Sequence, residues 1–348
     1  MFRQEVNSWN DERIGTSEIH GGDIVVVHSR FDELLNLELK KHGNFHNRYG
    51  IFNHDDLLGK NAGRRWITAS GKVATGAGFV IVLRPTPELW TLSLSHRTQI
   101  VYTHDIAVIT AEMDLRPGSI VVEAGTGSGS MTASLARAVA PTGRVVSFEI
   151  HEDRAKKATE DFEKLGISDY ITVTHRNVGT EGFKGIPESS VDAVFLDLPA
   201  VWDVAAEAER ILRVDGVLAT FSPCVEQVQQ TYEELSKLNF SEIETSTVGF
   251  RTWDTKKRSK DYSQSETEQE RKRKRVSEGR GNQAGERSGI PDKDDIVKKC
   301  DVELVSRPYR EIMTHTSYLT FARRLENKPK PSDAKVQSEG GDKPGGKD

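Results

Sequence analysis

Glu123, Gly125, Gly127 and Gly129 stand together in the segment EAGTGSGS, between the apolar run SIVVEA and the helical pattern SMTASLARAVA. Glycines let a strand-to-helix turn tighten and let backbone approach a ligand closely. The first turn of the following helix then offers unpaired N–H groups to that ligand. The spacing is G-x-G-x-G. A dinucleotide fingerprint, G-x-G-x-x-G, would need glycine at position 130, where Ser130 stands. Glu123 lies just before the first glycine, where a carboxylate can hold a positively charged amino group and would repel a pyrophosphate. An ordinary Gly-rich connection, without a ligand, is the plain alternative.

Further acids fall where ligand contacts are expected. Glu149 ends the next strand pattern, RVVSFE, about twenty residues on, where an acid can take both ribose hydroxyls. It could also be a helix-start acid favoured by the helix dipole. Arg154, one turn further, can frame the site or pair on the helix surface. Asn177 and Val178 follow the third strand pattern; an Asn carbonyl there can accept from an adenine amino group, or simply make a turn. Asp197 closes the run VDAVFLD, before Leu198 and Pro199. Ligands of open α/β sheets lie outside the carboxyl ends of the strands, so Asp197 is aimed at the crevice that the glycine loop and Glu149 border. Its bland role would be to cap the helix VWDVAAEAERIL. Together these residues favour S-adenosylmethionine over a nicotinamide dinucleotide. A carboxylate at that place suits methylation of a ring nitrogen beside an exocyclic amine, because positive charge develops on the base. Ser222, Pro223 and Cys224 could line the same pocket or only pack.

Strands alternating with amphipathic helices must position these groups. From residue 96 to about 325 apolar runs alternate with helical patterns, which predicts a doubly wound α/β domain with a parallel sheet covered on both faces. The last run, TSYLTFARRL, reads as the final strand of that sheet. TQIVYTHDIAVITAEMDL has helical spacing. Residues 21–95 read as a small β-rich N-terminal domain carrying DIVVVHSR, YGIF, FVIVLRP and ELWTLSL as β runs, with DELLNLELKK as its one helical candidate. Residues 1–20 read as a flexible extension, 254–300 as a disordered insertion, and 326–348 as a disordered tail.

The 348 residues suffice for two cores, while 36% hydrophobic content and a mean hydropathy of -0.55 indicate solvated segments beside them. A net charge of -5 confines any nucleic-acid footprint to local patches. Two cysteines, Cys224 and Cys300, allow neither a zinc spacing nor a disulfide framework. No apolar run reaches a membrane-spanning length, and the N-terminal residues resemble neither a secretory signal nor a transit peptide.

The block PTPELWTLSLSHRTQIVYTHDIA (residues 85–107) runs into LRPGSIVVEAGTGSGS. With FLDLPAVW, FSPCVEQVQ and HTSYLTFA, it resembles the catalytic subunit of tRNA adenine-58 N1-methyltransferases across residues 19–250 and 313–323. The resemblance implies a Rossmann-like class I methyltransferase domain behind a small N-terminal β domain, and methylation of N1 of the T-loop adenine. It implies cofactor contacts from Val101, Ser128, Gly129, Ser130, Glu149, Arg154, Asn177, Val178 and Asp197, with Asp197 catalytic. Asn177 departs from the family, which often has Asp there. The resemblance further implies pairing with a related noncatalytic RNA-binding subunit, two of each in a heterotetramer.

An adenine inside folded tRNA must be extruded to react. His96, Arg97 and Tyr102, with Pro199 and Thr316, are expected on the substrate side, and Trp90 either stacks on the nucleotide or fills a core. Lys256-Lys257-Arg258 and the run at 271–275 suggest a nuclear localisation signal, a phosphate-contacting arm or a solvated charge run. The competing classes are a nicotinamide oxidoreductase, which the glycine spacing disfavours, and a noncatalytic RNA-binding subunit, which the retained acids disfavour.

Overall fold

The computed structural model describes residues 18–30, 33–68, 78–94, 99–249, 251–259, 302–308 and 317–326. Two compact units result. One takes in the N-terminal and α/β segments together with the last strand; the other is residues 249–314.

The N-terminal segment builds a four-stranded sheet in the order β2-β1-β6-β5 from β1 (Ile24–Arg30), β2 (Glu33–Glu38), β5 (Arg64–Ile67) and β6 (Phe79–Leu83), beside the hairpin β3 (Asn44–Asn47) and β4 (Gly50–Asn53). Alternate residues of the sheet, among them Val25, Val27, Val80, Val82 and Trp66, point into one core with Phe52 and Leu57. The residues of DELLNLELKK from Glu33 to Glu38 are therefore strand, not helix, because their pairing with β1 outweighs local spacing.

ELWTLSL is likewise corrected. It lies within helix α1 (Pro87–Ser93), whose Thr86 hydroxyl accepts from Leu89 N–H and whose first residue is Pro87. Trp90 and Leu94, four residues apart, share a small core with Ile100 and Ala133. Trp90 is thus core, 3% exposed, and does not offer a stacking face.

The α/β segment follows as α2 (Thr103–Glu112), β7 (Ile120–Ala124), α3 (Ser130–Val139), β8 (Arg144–Glu149), α4 (Glu152–Leu165), β9 (Ile171–His175), α5 (Val178–Glu181), β10 (Val191–Leu196), α6 (Ala205–Ile211), β11 (Leu212–Ser222), α7 (Val225–Lys237), β12 (Phe240–Ser246) and, late in the chain, β15 (Tyr318–Arg324). The seven-stranded sheet has the order β12-β15-β11-β10-β7-β8-β9, with β11 to β9 parallel and the last strand pairs antiparallel. Apolar clusters cover both faces, one around Leu135, Phe162 and Phe195, the other around Phe183, Leu196 and Leu218. Helix α2 begins only at Thr103; Val101 lies outside regular structure and Tyr102 is extended. Strand β12 was not anticipated. Its pattern Phe240-Ser-Glu-Ile-Glu-Thr-Ser carries few apolar residues, and its pairing with β15 makes it a strand.

In the second unit, β13 (Trp253–Ser259) pairs antiparallel with β14 (Val302–Pro308), so the start of the charged insertion is a strand. The remainder of the insertion, 260–301, together with 1–17 and the tail from 327, lies outside the described residues. No helix among the described residues is long and apolar enough to cross a membrane.

Candidate active site

Strand β7 lies between β8 and β10, where the chain winds one way through α3 and the other way later. Crevices form at such reversals outside the strand ends. Leu196 pairs with Ala124, and Asp197 N–H continues the ladder by donating to Ala124 O at 3.0 Å. The first and fourth strands of the α/β domain thus bring the glycine loop and Asp197 to one mouth.

The loop is built from left-handed backbone, with φ 100° at Gly125, 55° at Gly127 and 79° at Gly129. Gly125 N–H is held by Phe148 O at 2.9 Å. A Cβ on Gly125 would stand 2.3 Å from the carbonyl oxygen of Asp197, so glycine is required by the approach of β10's exit.

Glu149, 3% exposed, closes the loop from the β8 side. Its Oε2 accepts from Gly127 N–H at 2.9 Å and its Oε1 from His151 N–H at 3.0 Å. Arg154 stands 3.8 Å from the same carboxylate, so it frames the site at its half-exposed edge. Each carboxylate oxygen of Glu149 keeps a lone pair for a hydroxyl.

Glu123 lies beneath the loop and is completely buried. Its Oε2 accepts from the hydroxyls of Thr132 and Ser147, each at 2.6 Å, and Ser147 in turn meets the Thr126 hydroxyl at 2.6 Å. Glu123 Oε1 is buried with no hydrogen-bond partner among the described residues. Burial, with the nearby charges of Asp197 and Glu149, pushes its carboxyl up to about 7. Thr126, Thr132 and Ser147 were not anticipated, because hydroxyls on a loop, a helix and a strand carry no shared sequence signature.

Asp197 is only partly covered at its surface, yet its surroundings are mostly protein; burial first, then the charge of Glu149, push its carboxyl to about 7. Ser130 is buried. Its hydroxyl bonds the Thr91 hydroxyl at 2.7 Å and donates to Val101 O at 3.0 Å, fastening α1 and the Val101 segment to the loop. Ser128 is buried within the loop. Asn177 caps α5, its side-chain oxygen accepting from Gly179 N–H at 3.0 Å, and Val178 is buried among Phe148 and Phe183. The capping bond uses one of the two lone pairs of that oxygen and leaves the other for an adenine amino group.

On the substrate side, Tyr102 is half-buried and lies parallel to His104, ring centroids 6.3 Å apart. Pro199 is exposed just past Asp197. Ser222, at the exit of β11, is 1% exposed and faces packing. His96, Arg97 and Thr316 lie outside the described residues.

The convergence of Glu123, Glu149 and Asp197, with the Glu123 and Asp197 carboxyls titrating well above the usual carboxylate range and an unpartnered buried oxygen on Glu123, fits a ligand carrying positive charge and hydroxyl donors. It does not fit a phosphate.

The comparisons agree with this geometry. A solved SAM-dependent O-methyltransferase of Thermotoga maritima superposes with a TM-score of 0.67 at 26% identity, over 94% of this chain and all of that one. The tRNA (m1A58) methyltransferase TrmI of Aquifex aeolicus superposes at 0.60 and 21% identity, covering 89% and 100%, and shares the fold. The tRNA (adenine(58)-N(1))-methyltransferase catalytic subunit of Dictyostelium discoideum is 38% identical over 311 residues, 89% of this chain and 97% of its own. The model of the tRNA methyltransferase complex GCD14 subunit matches residues 78–324, from the last strand of the N-terminal sheet to the end of β15, and the chain belongs to that family.

Proposed function

We infer that this chain is the catalytic subunit of a tRNA (adenine-58-N1)-methyltransferase that uses S-adenosylmethionine. The observation that carries it is Asp197, held by the sheet ladder beside Gly125 at the same strand mouth as Glu149 and Glu123.

S-adenosylmethionine supplies an electrophilic methyl group when bound. Gly125 to Ser130, Glu149 and Arg154 are the residues that would hold it, with Glu123 setting negative charge beneath the loop. Asp197 accepts from the exocyclic amine of the adenine, orients N1 for attack, and stabilises the positive charge that grows on the ring. Tyr102 and Pro199 border the entry of the base. A noncatalytic role is disfavoured, because the ionised carboxylates of Glu123 and Asp197, gathered beside Glu149, oppose folding and have no structural use there.

The titration of Asp197 has a consequence for rate. The group stabilises the growing positive charge only when ionised, and its raised pKa places that change at about 7. Glu123 titrates in the same range, so the two contribute one coupled limb. kcat/KM is expected to rise with pH up to about 7 and then level, whereas an aspartate in water would set the limb near 3.9. A rate profile flat down to about pH 5.5 would contradict this.

The partner is a related noncatalytic RNA-binding subunit, two of each in a heterotetramer. The family description as a subunit of a methyltransferase complex supports a partner. The location is the nucleus, supported by the basic clusters at Lys256–Arg258 and 271–275. The test of function is transfer of labelled methyl to tRNA, with and without the partner, followed by mapping of the modified base. Label at N1 of adenine 58, and none in a transcript with guanosine there, is the expected result.

A further inference from the structure

Asp197 is fixed by the sheet on one side only. Its N–H reaches Ala124 O, but the chain then leaves the ladder. Leu198 follows, and Pro199 has no N–H to offer. Ala200 lies outside regular structure before the short turn Val201–Val204. Among the described residues, the non-local hydrogen bond that reaches this segment comes from Gln227, whose Nε2 donates to Pro199 O at 2.9 Å.

The same side chain is engaged at its other end. Gln227 Oε1 accepts from Cys224 N–H at 3.2 Å and completes a capping box at the start of α7, with the Cys224 side chain accepting from the Gln227 backbone. Cys224 stands two residues past the end of β11, and β11 is the parallel neighbour of β10. One amide therefore ties the exits of two adjacent strands. An amide is required for both bonds together: a carboxylate could serve the cap but could not donate to the carbonyl of Pro199.

We propose that Gln227 is a positioning residue for methyl transfer: its amide clamps the Leu198–Ala200 segment to the start of α7 and so fixes the direction of the Asp197 carboxylate. The proposal rests on the assignment of Asp197 as the group that accepts from the base. Capping alone would leave the residue free to be glutamate, the ordinary partner in a capping box. The clamp would not.

That difference supplies the test, with the full chain assayed in its methyltransferase complex. Gln227→Glu keeps the acceptor for Cys224 N–H and loses the donor to Pro199. The expected result is an unchanged melting temperature, unchanged affinity for S-adenosylhomocysteine, KM for tRNA within roughly twofold, and kcat lowered roughly 10- to 100-fold. Gln227→Met removes both bonds without adding charge. It should lose kcat to the same extent and melt earlier, which separates the clamp from the charge of the glutamate. Wild-type kcat in either variant overturns the clamp. Asp197→Asn is measured beside them. If it keeps full turnover, the assignment of Asp197 fails and the clamp with it; if it loses turnover while Gln227→Glu does not, the clamp alone fails.

Discussion

Asp197→Ala is expected to lower kcat by roughly 10²- to 10⁴-fold, the range for loss of a positioned acid–base group or of a charge-stabilising group. Affinity for S-adenosylhomocysteine should largely survive, because the glycine loop, Glu149 and Arg154 are fastened by bonds that do not involve the Asp197 side chain. Loss of folding does not explain such a result. The carboxyl is protonated more readily in the folded chain than in the unfolded one. Its ionisation therefore destabilises the fold progressively as pH rises from about 4 to about 7, and the full penalty persists above that. Removing the charge should leave the melting temperature at pH 8 equal to or above that of the unaltered chain. Asp197→Asn, which keeps the shape, should behave alike in kcat. Single-turnover methylation and thermal denaturation together check this; undiminished turnover would remove Asp197 from the mechanism.

The second large effect is expected at Gly125. Alanine there meets two obstacles. Its φ of 100° is foreign to residues with a Cβ, at a cost on the order of 1–3 kcal/mol. Its Cβ would also stand 2.3 Å from the carbonyl oxygen of Asp197 and 3.2 Å from the carbonyl carbon. Neither partner can give way cheaply. Gly125 N–H is bound to Phe148 O, and Asp197 N–H to Ala124 O, so separation would open the sheet between β7 and its neighbours. Overpacking of this kind costs typically 1–3 kcal/mol more. Gly125→Ala should therefore destabilise the chain by about 2–6 kcal/mol and weaken cofactor binding roughly 100-fold, as read by denaturant unfolding and calorimetric titration. Gly166→Ala is the control. That glycine has φ 70° at the end of α4 but nothing within 4 Å of the added Cβ, so backbone strain of about 1–2 kcal/mol is all that should appear.

The candidate site was legible where short-range rules govern. The glycine loop betrays itself by composition, and Glu149 and Asp197 by closing apolar runs that can only be buried strands. Roles that depend on distant partners were less visible. The bonds of the Ser130 hydroxyl to Thr91 and Val101, which fasten helix α1 to the loop, had no counterpart in the local pattern. Asn177, read as an adenine acceptor or a turn residue, caps a short helix with its side-chain oxygen, a role set by the helix that follows it. Helix α1 was read as a strand because ELWTLSL alternates bulky residues. Pro87 at its start and the Thr86 cap were the overlooked signals. Gln227 stood in the block FSPCVEQVQ without a role of its own, since a glutamine in a helical pattern is ordinarily a solvated surface residue.

The chain's own sequence determined the alternation of strands and helices and the turn chemistry at Gly125, because periodicity and glycine conformation are properties of neighbouring residues. Tertiary structure alone decided that β10 lies against β7, across a separation that brings Asp197 to the glycine bend. It alone weakened Glu123 and Asp197 as acids, since burial and like charge exist only once distant strands have met. It also turned the late strand β15 into the partner that makes β12 a strand, because pairing, not propensity, stabilises an edge of that polarity.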